Sequence, residues 1–196
     1  MMFKSREGDD HLCEDCIKQP KYFKIARAPG IYDQALMKAI HCLKYKGKIQ
    51  LARPFGMLLF AAFIRFWDMD KIDLIIPVPL HSKRIKARGF NQAYLLVRKW
   101  KQLAMALSAE TPAVTIDRNI LVRKKWTEPQ TGLGRKKRLK NIKNAFSVNN
   151  CSKIAGKRIL VVDDVLTTGA TVNECAKTLI SHGAKRVDVL TLARAM

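Results

Sequence analysis

"ILVVDDVLTTGAT" (residues 159–171) runs four apolar residues into two adjacent carboxylates and then a Thr-Thr-Gly-Ala-Thr loop. The apolar residues predict a strand buried on both faces, the kind found inside a parallel sheet. "TVNECAKTLISH" follows with helical periodicity and meets Gly183, and "KRVDVLTLA" then reads as another strand. Strand, helix, strand predicts a parallel α/β unit. In such sheets ligands bind where the carboxyl ends of strands lead into loops. The strand is expected to end at Val162, so that Asp163 and Asp164 emerge at that edge. Successive strand side chains point to opposite faces, so each carboxylate should reach a different atom of an extended ligand. The vicinal hydroxyls of a ribose meet that demand, and so does a Mg²⁺ bound to the same ligand. Thr167, Thr168, Gly169, Ala170 and Thr171 add backbone N–H groups, hydroxyls and close approach at a helix N-terminus, where the dipole favours an anion. Together these features point to a ribose 5-phosphate. The alternative is another α/β strand ending in acids, such as the acidic pocket of a receiver domain. A Walker A loop is excluded, because no Gly-Lys-Ser/Thr step follows the glycine.

Upstream, "IYDQALMKAIHCLKY" (31–45) predicts a helix with Leu36, Ile40 and Leu43 on one face and Gly47 as its stop. A second, apolar helix is expected from about Ile49 to Trp67, its regular part starting at Pro54. Its most apolar part, "GMLLFAAFI" (56–64), is too short to cross a bilayer, and no membrane span is expected. "IDLIIPVPL" (72–80) predicts a short buried strand closed by Pro77 and Pro79. "NQAYLLVRKWKQLAMAL" (91–107) predicts one helix, with Leu95, Leu96, Leu103 and Leu107 available to the core. The segment 120–146, which contains "WTEPQTGLG", is expected to be a functional mobile loop or plain disorder.

The length of 196 residues suits one domain with a small appendage, and 48% hydrophobic residues are enough for a packed core. Five cysteines stand at 13, 16, 42, 151 and 175. The odd count, irregular spacing and lack of a signal-peptide layout predict reduced thiols in a cytoplasm. The formal net charge is +21, concentrated between residues 81 and 158, where 20 Lys or Arg face three acids. Such a stretch implies a polyanionic partner, a nucleic acid or a phosphate-rich small molecule, unless it is a solvated lysine-rich face. Trp100 and Trp126 lie in this span and could stack on bases. Trp100, between Leu96 and Leu103 on a predicted helix, suits the core, which leaves Trp126 as the better platform.

The motif at 159–171 resembles the binding loop of type I phosphoribosyltransferases, which hold phosphoribosyl pyrophosphate (PRPP) with Mg²⁺. "CLKYKGK", "PVPLHSKRIKARGFNQA", "TEPQTGLGRKKRLKNIKNAF" and the tail resemble, in that order, the ComF family of competence-associated proteins, from about residue 20 to 194. The resemblance implies a parallel-sheet, Rossmann-like phosphoribosyltransferase fold over residues 31–196, preceded by a zinc-ribbon-like head over 1–30. It implies Asp163 and Asp164 as the catalytic pair on ribose hydroxyls and metal, with Thr167 to Thr171 around the 5-phosphate. Val78, Pro79, Leu80, Arg84 and Arg88 become pyrophosphate-side candidates, and Gln130, Arg138 and Asn141 candidates in a mobile hood. Members of the family carry two C-x-x-C pairs at the head, making a four-thiolate Zn²⁺ site. This chain has only Cys13 and Cys16 there, half of such a site.

Three functions compete at this point. One is a phosphoribosyltransferase whose acceptor is unreadable. Another is a non-catalytic module that binds single-stranded DNA through 81–158 during DNA uptake. The last is a PRPP sensor. The family resemblance adds a competence helicase as a partner and allows a homo-oligomer.

Overall fold

The computed structural model describes residues 21–68, 71–107, 115–126 and 141–195. In chain order the strands are β1 (Ala26–Arg27), β2 (Gly30–Ile31), β3 (Leu74–Pro77), β4 (Thr115–Ile116), β5 (Leu121–Arg123), β6 (Phe146–Val148), β7 (Arg158–Leu166) and β8 (Arg186–Arg194). The α-helices are α1 (Gln34–Tyr45), α2 (Ala52–Phe66), α3 (Ser82–Arg88), α4 (Gln92–Val97), α5 (Trp100–Leu107) and α6 (Ala170–Ser181). One six-stranded parallel sheet runs β1-β8-β7-β3-β4, with β2 also paired to β8. β5 and β6 form a separate antiparallel pair. The fold class is the expected one.

Alternation along the central strands separates two cores. Ile159 and Val161 of β7, with Val187 and Val189 of β8, pack beneath α6 and the β5–β6 pair. Leu160 and Val162, with Leu190 and Leu192, pack beneath α1, α2, α4 and α5. β7 and β8 are buried on both sides, which explains their nearly unbroken apolar sequences.

Local signals set several ends. Asp33 caps α1 by accepting the Leu36 N–H at 2.9 Å, and Gly47 follows its end at φ +64°. α2 starts at Ala52 after a 3₁₀ turn, Ile49–Leu51, two residues ahead of the start expected at Pro54. Pro54 is tolerated because it lies in the first turn, where its missing N–H has no helical partner. The continuous run Ile49–Phe66 is, among the described residues, one helix long and apolar enough to cross a membrane, although the "GMLLFAAFI" core alone is not. Leu59, Phe60, Ala62 and Phe63 are nevertheless buried against the sheet and α5.

Four expectations need correction. β7 extends past Val162 through both acids to Leu166, because β8 continues beside it, with Asp163 opposite Thr191 and Val165 opposite Ala193. The helix expected over 91–107 is two, α4 and α5, turning at Arg98 and Lys99. No glycine or proline marks that turn; tertiary packing holds it, with Trp100 Nε1 donating to the Gly56 carbonyl at 3.1 Å. Parts of 120–146 are ordered, as β5 and the start of β6, with Leu121 and Phe146 in the core. Strands of three residues are too short for periodicity to register. Finally, β1 and the start of β2, inside the head expected over 1–30, pair with β8 in the main sheet. Residues 1–20 lie outside the described residues.

Polar anchors gather toward the amino ends of the strands. Asp188, 1% exposed, accepts from Trp67 Nε1 at 3.0 Å and the Ile25 N–H at 3.2 Å and pairs with Arg186. Asp73 accepts the Arg158 N–H at 2.7 Å, and that bond leads the causes that hold its carboxyl below the usual range. The carboxyl ends are left for other chemistry.

Candidate functional site

The carboxyl end of β7 opens into a cleft of about 1000 Å³. Asp163 and Asp164 both line it, although only 9% and 3% exposed. The expected divergence is present. Asp164 turns toward α1, where Lys44 Nζ lies 2.5 Å from its Oδ2. Asp163 faces the α6 and β5 side, close enough to Arg123 for their charges to interact. Burial, reinforced by the charge of Asp164, pushes the Asp163 carboxyl up to about 8 against the pull of Lys44. Burial opposes a charge on Lys44, but the charge and hydrogen bond of Asp164 outweigh it and hold the ammonium above its ordinary range. One paired and one raised carboxyl is what two acids on adjacent residues of a dry strand end should become.

The loop after β7 turns into α6 at Gly169, whose φ of +71° lies in the left-handed region. As the N-cap, Gly169 has no side-chain oxygen to offer the first N–H groups of α6. The Ala170 N–H is taken locally by Thr168 Oγ1 at 3.3 Å. Thr167 and Thr171 line the cleft, whereas Thr168, Gly169 and Ala170 shape the turn behind it.

The opposite wall comes from the segment after β3. The Val78 N–H still bonds to the Val162 carbonyl at 2.8 Å, which brings Val78 and Leu80 to the cleft; Pro79 lies between them and does not line it. "GFNQ" (89–92) explains itself as scaffolding. Gly89, at φ +84°, ends α3. Asn91 caps α4, accepting the Tyr94 N–H, and donates to the Val78 carbonyl at 3.0 Å. Gln92, 6% exposed, accepts from Arg88 at 2.5 Å. Arg84 and Arg88 thus reach the cleft from a short helix braced at both ends.

Three contributors were missed by sequence reasoning. Lys44 and His41 arrive on α1, and Arg123, 9% exposed, arrives on β5. Lys44 stands inside the "CLKYKGK" block, and that block was the available signal. Arg123 carried none, being one of many basic residues in its segment. Trp100 is core, as expected, at 2% exposure. Trp126 is 42% exposed at the cleft, edge-on to His81 at 5.3 Å, with Lys83 Nζ and the Arg84 guanidinium carbon each 5.6 Å from its ring centre. Asn141 does not line the cleft. Gln130, Arg138, Cys13 and Cys16 lie outside the described residues. Cys42, Cys151 and Cys175 are free thiols, and among the described residues no three His, Cys, Asp or Glu side chains converge as a metal site.

Known proteins resemble this chain in sequence. Residues 101–196 match the model of the phosphoribosyl transferase domain. Competence protein F of Haemophilus influenzae is 36% identical over 187 residues, covering 93% of this chain and 78% of that protein. DNA utilization protein YhgH of Shigella flexneri is 32% identical over 190 residues, covering 95% and 79%. Competence protein ComFC of Bacillus subtilis is 26% identical over 190 residues, covering 93% and 72%.

Proposed function

Because the chain belongs to the ComF family of competence and DNA utilization proteins, we propose that its cleft holds PRPP or a related ribose 5-phosphate ligand, in the service of DNA uptake or the use of external DNA. One observation carries the reading. Two carboxylates diverge from the end of β7 into a cleft whose other walls carry Lys44, Arg84, Arg88 and Arg123. A ligand suited to that cleft bears hydroxyls at its centre and phosphates at its ends. Asp163 and Asp164 accept hydrogen bonds from the ribose hydroxyls. The 5-phosphate lies against Thr167, Thr171 and the start of α6, where the helix dipole favours an anion. Arg84 and Arg88 face the pyrophosphate beside Val78 and Leu80.

The donor set fits a Mg²⁺ carried in by the ligand. One or two carboxylates are the usual protein share for a phosphate-bound Mg²⁺, the phosphates and water supplying the rest. Because the two acids leave β7 on opposite faces, one of them, Asp164, would hold it through a single carboxylate, and it would supply charge neutralisation to the departing pyrophosphate. If transfer occurs, the bond from ribose C1 to the pyrophosphate oxygen breaks and its electron pair leaves with pyrophosphate. A lone pair of the acceptor then forms the new bond to C1, and the acceptor gives up its proton. The arginines stabilise the leaving charge.

The test is calorimetric titration of Mg-PRPP into the wild type and the double variant Asp163→Asn, Asp164→Asn. Hydrogen bonds to charged groups contribute about 1.5–3 kcal/mol each, so affinity should fall at least about 100-fold. Equal affinity in the two proteins would overturn the assignment.

The exposed indole of Trp126, set among Lys83, Arg84 and His81, favours a second reading in which a single DNA strand stacks at the mouth of the cleft and its phosphates meet the basic middle of the chain.

A further inference from the structure

We propose that Lys44 is the resident counter-cation of the acid pair, and that a divalent ion gains Asp164 only when a phosphorylated ligand draws the ammonium away. The proposal rests on the reading above for the identity of that ligand, and on geometry for the rest. Lys44 sits in the last turn of α1, a helix anchored by buried Ile40 and Leu43. Its Nζ lies 2.5 Å from Asp164 Oδ2, and the two side chains are 19% and 5% exposed. This is a contact inside the cleft wall and not a surface ion pair. The neighbouring Tyr45 is held under Arg88, whose guanidinium carbon is 5.0 Å from its ring centre, so the end of α1 is tied to the basic wall opposite.

Asp164 therefore has two claimants. A metal ion and an ammonium on one carboxylate repel each other, and the low exposure of both side chains weakens solvent screening. Mg²⁺ also gives up its own hydration reluctantly. A free divalent ion thus meets a carboxylate already neutralised and finds no third protein ligand among the described residues. Phosphate oxygens resolve the conflict, because they accept the hydrogen bonds of the ammonium and offer oxygens to the metal together. Lys44 has only to turn from Asp164 toward the ligand, within the cleft it already lines. Metal entry is thereby coupled to ligand entry, and the empty cleft does not collect divalent ions.

The test uses Mn²⁺ alone, titrated at pH 8 into wild type, K44M and K44R and followed by electron paramagnetic resonance, with melting curves to verify folding. K44M should bind Mn²⁺ at least tenfold more tightly than wild type, and K44R, which keeps the cation, should resemble wild type. With Mg²⁺ present, K44M should bind PRPP at least tenfold more weakly. A lysine that merely supported the fold would leave Mn²⁺ affinity unchanged or lower it on removal, and either result overturns the proposal. If K44M does not fold, K44Q answers the same question. Failure of PRPP to bind even the wild type would sink the ribosyl reading, while the Mn²⁺ comparison would still decide the role of Lys44.

Discussion

Asp163 and Asp164 are chemically the same residue, and one position of displacement along a strand gives them different lives. Asp164 meets Lys44; Asp163 meets burial and its neighbour's charge, and its carboxyl rises to about 8. A raised acid is protonated in the folded state while its unfolded counterpart, near 3.8, has already ionised. The wild type should therefore lose stability relative to Asp163→Asn as pH climbs from about 4 to about 8, and the gap should level off above that. Thermal melts of both proteins at pH 5, 7 and 9 will check this; a gap that does not widen between pH 5 and 7 would refute it. This pair was legible because its meaning is local: strand, alternation and loop are all contained in thirteen consecutive residues. Lys44 and Arg123 were not legible in that way. Each becomes a cleft residue only when α1 or β5 is brought to β7, and no spacing along the chain encodes that meeting.

Among the elements, α2 and α4 cross so closely that one position tolerates only hydrogen. A Cβ on Gly56 would stand 2.6 Å from the Leu96 carbonyl oxygen, and Trp100 Nε1 takes the Gly56 carbonyl from the same side. Gly56→Ala must push the helices apart, and overpacking of this kind costs about 1–3 kcal/mol. The expected readout is a melting temperature roughly 2–12 °C lower, with the Trp100 fluorescence altered. An unchanged melting temperature would mean that the helices separate freely. The sequence made α1, α2, β3 and the β7–α6–β8 unit readable because each carries apolar periodicity or a capping residue over several turns or strand positions. It hid the turn at Arg98–Lys99, which no breaker residue marks, and it hid β5 and β6, which offer three residues each. The GFNQ block was recognisable as a family signature, but its physics was not. Only the hydrogen bonds of Asn91 and Gln92 reveal that it braces Val78 and Arg88.

At the scale of the molecule, three acids among the described residues are each answered by a basic side chain: Asp188 by Arg186, Asp73 by Arg158, Asp164 by Lys44. The formal net charge of +21 suits polyanionic partners. If a single strand of DNA is one of them, its affinity should fall linearly with salt on a logarithmic plot, with a slope of about −0.7 per phosphate contacted. Trp126→Ala should weaken binding about 5- to 150-fold without changing that slope, since stacking contributes about 1–3 kcal/mol per base and involves no counterion. Fluorescence anisotropy of a labelled oligonucleotide measures both. Salt-insensitive binding, or none, would remove the nucleic-acid reading. The order of strands has a consequence of another kind. β1 and β2, from the beginning of the described chain, pair with β8, from its end, so the sheet cannot be completed by neighbours in sequence. Long loops must close before those pairings stabilise anything, and parallel sheets built this way fold slowly. The cleft is also assembled from distant parts of the chain, Lys44 and Asp164. A partly folded chain that has gathered α6 against β7 but has not yet docked α1 holds its two carboxylates side by side with no lysine between them and solvent. Recovery of the Lys44–Asp164 contact therefore reports the docking of α1 against β7.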